Sequence, residues 1–192
     1  MGQGKRLMCL VILIFGLSSV GFAEEYPLQY FMAKTSSKTY ELSKKERTEL
    51  LNRIQEVLEQ AERIRRKLTE AIQTGEMDVQ YQEGKFWMSK LEEDQGLIES
   101  GTQQLKLLRE KPMQLVPSVK LYKSLKDLSS HFNGYNNLSS FSAFVGDLAP
   151  ELELWDDPVF YQLYLLSLAH SKDEGREPPQ KEKKPTARGK RP

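Results

Sequence analysis

Cysteine and histidine are almost missing from this chain: Cys9 is the single thiol, and His131 and His170 are the two imidazoles. A lone cysteine cannot close an internal disulfide, so the fold must be held by packing. The histidines form no i,i+3 or i,i+4 pair and have no further cysteines to join them, so no metal site is expected. Each lies near the end of an expected helix, where an imidazole usually caps the dipole. Gly-x-Ser-x-Gly and Ser-x-x-Lys do not occur. Their absence removes the common serine-nucleophile arrangements. A Walker loop and Gly-x-Gly-x-x-Gly are missing too, and with them the usual phosphate and dinucleotide cradles. No cofactor is expected. Nor is there an excess of one charge, since 28 basic residues face 27 acidic ones. The overall balance argues neither for nor against a nucleic-acid partner.

Charge is, however, unevenly placed. Residues 24–170 carry 18 Lys/Arg and 23 Asp/Glu, whereas residues 171–192 carry eight and four. A mildly acidic body is followed by a basic tail. That tail holds Pro178, Pro179, Pro185 and Pro192 with almost nothing to bury, so residues 171–192 are expected to be disordered. At the other end Lys5 and Arg6 precede Leu7 to Leu17, an apolar stretch interrupted only by Gly16. Gly21 and Ala23 then sit at −3 and −1 of a cut before Glu24. Residues 1–23 therefore read as an export signal, which makes the mature protein periplasmic or secreted and free of cysteine. An uncleaved anchor is the alternative, although the apolar stretch is short for about 30 Å of hydrocarbon. Cys9 lies too early for a lipobox. Export makes nucleic acid an improbable partner.

What is present is helical periodicity. Leu50, Ile54, Val57, Ala61, Ile64, Leu68 and Ala71 recur at alternating steps of four and three, the apolar seam of a long helix. Ser43-Lys44-Lys45-Glu46 is a capping box at its start, and Gly75 is its natural stop. Trp87, Leu91, Ile98, Leu105 and Leu108 form a second seam, with Asp94 and Gly101 in the intervening heptad slots. A glycine there permits close helix approach, and an aspartate there needs a partner or water. The expectation is an all-α fold, with a long antiparallel helical hairpin over 43–111 packed at its open end against a small C-terminal bundle over 112–170. Residues 24–42 are expected to be an extended segment whose aromatic residues pack on that body or on a partner. Within 112–170 the pattern suggests a connector up to Ser118 as N-cap and a turn over Asn133 to Asn137. A last helix is expected to begin at Asp157-Pro158 as N-cap and first residue. Whether the seam closes within one chain or between two, and so the oligomeric state, is left open.

Four groups of residues are candidates for function. Tyr81, Phe86 and Trp87 make the hairpin tip unusually aromatic, and Arg63, Arg65, Arg66 and Lys67 form a basic cluster on the first arm. Both suit a protein partner. Phe141, Phe144, Phe160 and Tyr164 could instead line a pocket for a lipid or other apolar ligand. Glu151, Glu153, Asp156 and Asp157 beside Trp155 resemble the paired carboxylates of glycan chemistry, though a loop leading into a helix has the same composition. Asn137-Leu138-Ser139 matches a glycosylation sequon, a short pattern frequent by chance.

The leading expectation is an exported, non-catalytic helical protein that acts by protein–protein binding, as an adaptor, scaffold or chaperone-like component of the cell envelope. Its basic tail suits an anionic surface. A carrier of an apolar ligand comes second, and a small glycan-active enzyme third.

Overall fold

A computed structural model describes residues 26–37, 41–77 and 79–173, with the backbone alone for Tyr81 and residues 170–173. The expected signal at 1–23 and nearly all of the expected tail lie outside the described residues. Among those described, all regular structure is helical, and no helix is long and apolar enough to cross a membrane.

Helix α2, Lys44–Thr74, begins where the capping box puts it. The Ser43 hydroxyl accepts from the Glu46 amide at 3.2 Å, and the Glu46 carboxylate accepts from the Ser43 amide at 2.7 Å. It ends on Gly75, whose φ of +73° is the left-handed conformation that favours glycine. Helix α3, Tyr81–Glu110, returns antiparallel to it. The seam residues of α2 are buried, as are Leu91, Asp94, Ile98, Gly101, Leu105 and Leu108 of α3. Gly101 sits where three helices converge. A Cβ there would meet Leu58 Cδ1 of α2 at 3.0 Å and Ser124 Cβ at 3.6 Å.

The C-terminal half covers more of the hairpin than its open end. Helix α4, Leu115–Asn136, runs antiparallel along α3, with Ser124 level with Gly101 and His131 level with Asp94. It starts three residues before Ser118, because Pro117 lies in the first turn, where backbone N–H groups have no helical acceptor in any case. The Ser118 hydroxyl donates back to the Gln114 carbonyl at 2.7 Å instead of capping. The expected turn at 133–137 is helical up to Asn136. Burial of Tyr135 and its bond to Asp94 outweigh the turn-forming composition there.

After α5, Ser139–Val145, the chain turns at Gly146, with φ +53°. It then descends as α6, Leu148–Leu154, a π-helical segment, Trp155–Leu165, and α7, Leu166–Asp173. Pro158 does not start a helix; it lies inside the wider π turns. Those turns ease the clash between its ring and the preceding carbonyls. The descent is fixed by Asp157, which accepts from Lys126 of α4 at 2.7 Å, and by the Tyr164 hydroxyl, which donates to the Pro112 carbonyl at 2.7 Å. The result is an up-down-up-down bundle of α2, α3, α4 and the α6–α7 run.

Residues 24–42 are not simply extended, since Leu28–Ser36 forms helix α1. Phe31 is fully buried, with its ring 5.9 Å from that of Trp155. The α1 aromatic cluster therefore packs on the body. Glu46 ties α1 to α2 by accepting from the Tyr30 hydroxyl and from Lys34 Nζ at 2.5 Å.

Candidate functional site

Near the hairpin tip, α2 and α3 together border a groove. On α2, Arg65, Thr69, Ile72 and Gln73 lie on one face, and on α3, Gly84, Met88, Leu91, Glu92 and Gln95 lie on the face opposite. Small side chains at Gly84, Ser89 and Thr69 leave space that larger residues would fill. The outcome is a groove of about 860 Å³, open to solvent. Ile72, Val79, Met88 and Leu91 form its apolar floor, and Arg65, Gln73, Gln80 and Gln95 are its polar rim. The link between the arms closes one end. Met77 is buried there, and its amide donates to the Ala71 carbonyl at 3.1 Å. Val79 is shared with a second, smaller cleft whose walls are Phe86, Trp87, Leu138 and Phe141.

The aromatic candidates at the tip divide between exposure and burial. Phe86 is 55% exposed, and its ring stands edge-on to Trp87 at 4.8 Å. Trp87 is half-buried, against Tyr135 at 5.8 Å and Phe141 at 5.2 Å. The Tyr81 side chain lies outside the described residues. Of the basic cluster, Arg65 reaches the main groove. It donates twice to Glu62, at 2.7 and 2.9 Å, and those bonds hold the Glu62 carboxyl below its ordinary range. Arg66 also pairs with Glu62, at 2.6 Å, and with Arg63 it borders a separate cleft near Ile98. Lys67 is exposed. The cluster is thus spread around the helix and does not converge on one site, because steps of one and two residues turn side chains to different faces.

The proposed ligand-lining aromatics are not gathered around one cavity. Phe160 and Tyr164 stack at 4.9 Å inside the core towards the open end, whereas Phe141 packs on Tyr135 and Trp87 near the tip. Phe144 is half-buried. Aromatic residues become core on the sides of a helix that neighbours cover, as at Phe160 and Tyr164, while Tyr161 of the same segment stays 42% exposed. The four acids also part company. Glu151 accepts from the Trp155 indole at 3.2 Å, and Glu153 from Asn133 at 3.5 Å. Asp157 accepts from the Tyr122 hydroxyl and from Lys126, while Asp156 is buried and accepts from the Asp157 amide. Desolvation raises the Asp156 pKa. A helix running through 148–165 turns consecutive acids to different faces, so these carboxylates do not face one groove.

A buried polar set links α3 to α4 beside the main groove. Asp94 has 0% exposure, and its two oxygens meet His131 Nδ1 and the Tyr135 hydroxyl, each at 2.6 Å. The carboxylate raises the His131 pKa. Burial, and then the same carboxylate, raise that of Tyr135. His131 is therefore no helix cap but an inter-helix ligand of Asp94. Among the described residues, no cluster of His, Cys, Asp and Glu could hold a metal ion.

One surface feature escaped the seam pattern. Leu107, Met113, Leu115, Val116 and Val119 are large apolar side chains exposed around the start of α4. Their sequence signal was the Pro112 to Ser118 stretch, whose apolar residues belong to no seam. Comparison with protein-family models, curated proteins and solved structures finds no match for the chain.

Proposed function

We propose that this protein is a non-catalytic binding module that takes an amphipathic segment of a partner protein into the groove between α2 and α3. The groove itself supports this reading. It is long enough to follow two helix faces, apolar along its floor and polar along its rim, the arrangement that receives the apolar side of a helix. Exposed Phe86 extends the apolar surface around the tip. The N-terminal sequence would place this activity outside the cytosol, as an adaptor, scaffold or chaperone-like component of the envelope. The polar set at Asp94 supports the same reading in another way, by locking α3 to α4 and so holding the floor of the groove in place.

A photo-crosslinking amino acid at exposed Ser89, on the groove wall, tests this in the native envelope, with the same group at exposed Glu153 as control. The expected result is a discrete adduct from position 89 that disappears when Met88→Glu is introduced. Adducts from position 153 alone, or adducts from 89 indifferent to Met88→Glu, would reject the groove as the binding site.

A further inference from the structure

At the end of the bundle opposite the tip, the chain turns from α3 into α4 and exposes apolar side chains that no other described residue buries. Val116 is 63% exposed and Val119 47%, with Met113 and Leu115 close behind. On the first turns of α4, Leu115 and Val119 lie four residues apart and Val116 and Val119 three, so they share one outward face. The antiparallel register places Leu107 of α3 at the level of this turn.

The charge around these residues differs from that of the rest of the body. Residues 106–127 contain Lys106, Arg109, Lys111, Lys120, Lys123 and Lys126 against two acids, Glu110 and Asp127. The remainder of 24–170 contains twelve basic and 21 acidic residues. Lys106, Lys111, Lys120 and Lys123 are exposed, and of the wider set Lys126, Arg109 and Lys123 bond to Asp157, Asn52 and Asp127. One end of an acidic molecule is thus basic and apolar together. The described chain also closes on this side of the molecule, since Tyr164 bonds to Pro112 and α7 continues from there to Asp173.

We propose that this end of the bundle docks on an anionic lipid bilayer. Val116, Val119, Leu115 and Met113 enter the headgroup region, and the surrounding lysines meet lipid phosphates and carboxylates. The occupant is argued from charge. A protein partner for an apolar patch needs no lysine rim, whereas an apolar tip within a ring of lysines matches an interface whose surface is negative and whose interior is hydrocarbon. The lysine side chains can lay their methylene stems along the apolar residues and keep their ammonium groups at headgroup level. Docked in this way, the protein would point its tip groove away from the membrane. This inference does not depend on what that groove binds.

Vesicle co-sedimentation tests it with the chain 24–192, which contains every core residue of the fold. Vesicles of phosphatidylcholine with about 30% phosphatidylserine are compared with phosphatidylcholine alone at low salt and at 0.5 M NaCl. The expected result is binding to the anionic vesicles that weakens about tenfold or more in high salt, as screening predicts. Two variants, Lys120→Glu with Lys123→Glu and Val116→Ser with Val119→Ser, should each lose about tenfold. Both change exposed side chains, and circular dichroism would check that the helices are retained. Equal binding to neutral vesicles overturns the proposal. So does binding to anionic vesicles that neither variant reduces, or that vanishes when residues 174–192 alone are removed, because the tail would then act without the α4 surface.

Discussion

His131 Nδ1 lies 2.6 Å from Asp94 Oδ1, in contact with a carboxylate that has no exposure to solvent. The pair joins the middle of α3 to the C-terminal part of α4, and Tyr135 completes it from one turn further along. A buried carboxylate is costly unless its oxygens are satisfied, and here two donors from a single helix satisfy them. The set therefore specifies which turn of α4 lies against which turn of α3.

Removing one member should cost more than removing all three. Asp94→Ala leaves the buried Tyr135 hydroxyl without its acceptor and opens a cavity, an expected loss of about 2–4 kcal/mol. The combined Asp94→Leu, His131→Leu, Tyr135→Phe protein should recover most of that stability, because apolar replacement of a complete buried polar set is often neutral or better. Urea denaturation of the variants checks both. A triple variant less stable than Asp94→Ala would show that the set stabilises the fold as well as setting its register.

Stability should also fall as the solution becomes basic. Asp94 raises the folded-state pKa of His131 above its ordinary value of about 6.5. The resulting stabilisation is complete below that value and is lost as pH rises through the folded-state pKa. The melting temperature is thus expected to be higher at pH 6 than at pH 8.5, and His131→Gln should flatten the difference. An unchanged slope in that variant would assign the pH dependence to another group.

Glu46 should act in the opposite direction and at lower pH. Burial opposes its charge, but hydrogen bonds from Lys34, Tyr30 and Ser43 outweigh that and hold the carboxyl down at about 2. Its contribution is present above the unfolded value of about 4.5 and is lost as pH falls through about 2. Glu46→Ala should cost about 1–3 kcal/mol. Hydrogen exchange would locate the effect, with faster exchange in 28–36 and little change in the middle of α3.

Gly101 should tolerate alanine and reject valine. An alanine gains about 0.5–1 kcal/mol of helix propensity, which offsets the push of its Cβ on Leu58 at 3.0 Å. The γ carbons of Gly101→Val have no such room between α2 and α4, and a loss of about 1–3 kcal/mol is expected from chemical denaturation.

The two hairpin arms were legible because each announces itself locally, whereas α1, the end of α4 and the run through Pro158 were not. The Ser43 box, the stop at Gly75 and the seven-residue seam of α2 follow from hydrogen bonding and periodicity within the segment. Asp94 and Gly101 were legible as departures from a seam, since a carboxylate and a missing side chain each require something across the interface. What that something was could not be read, because His131, Tyr135 and Ser124 are distant in the chain. The groove was not legible either. Ile72, Val79 and Met88 become its floor only because α2, the link and α3 bring them to one side of the hairpin, and the basic residues near them disperse around α2.

By itself, then, the sequence determined the helical class, the two arms, the burial of their seams and the polar and glycine slots between them, all set by period and local capping. Tertiary structure alone decided that α4 and the α6–α7 run lie along the hairpin towards its tip. It also decided that Pro158 sits within a continuous helical run, and that one end is grooved while the other is apolar and basic. The physical reason is that burial is shared. Whether a side chain becomes floor, core or exposed surface depends on which neighbour reaches it, and no period within one segment carries that information.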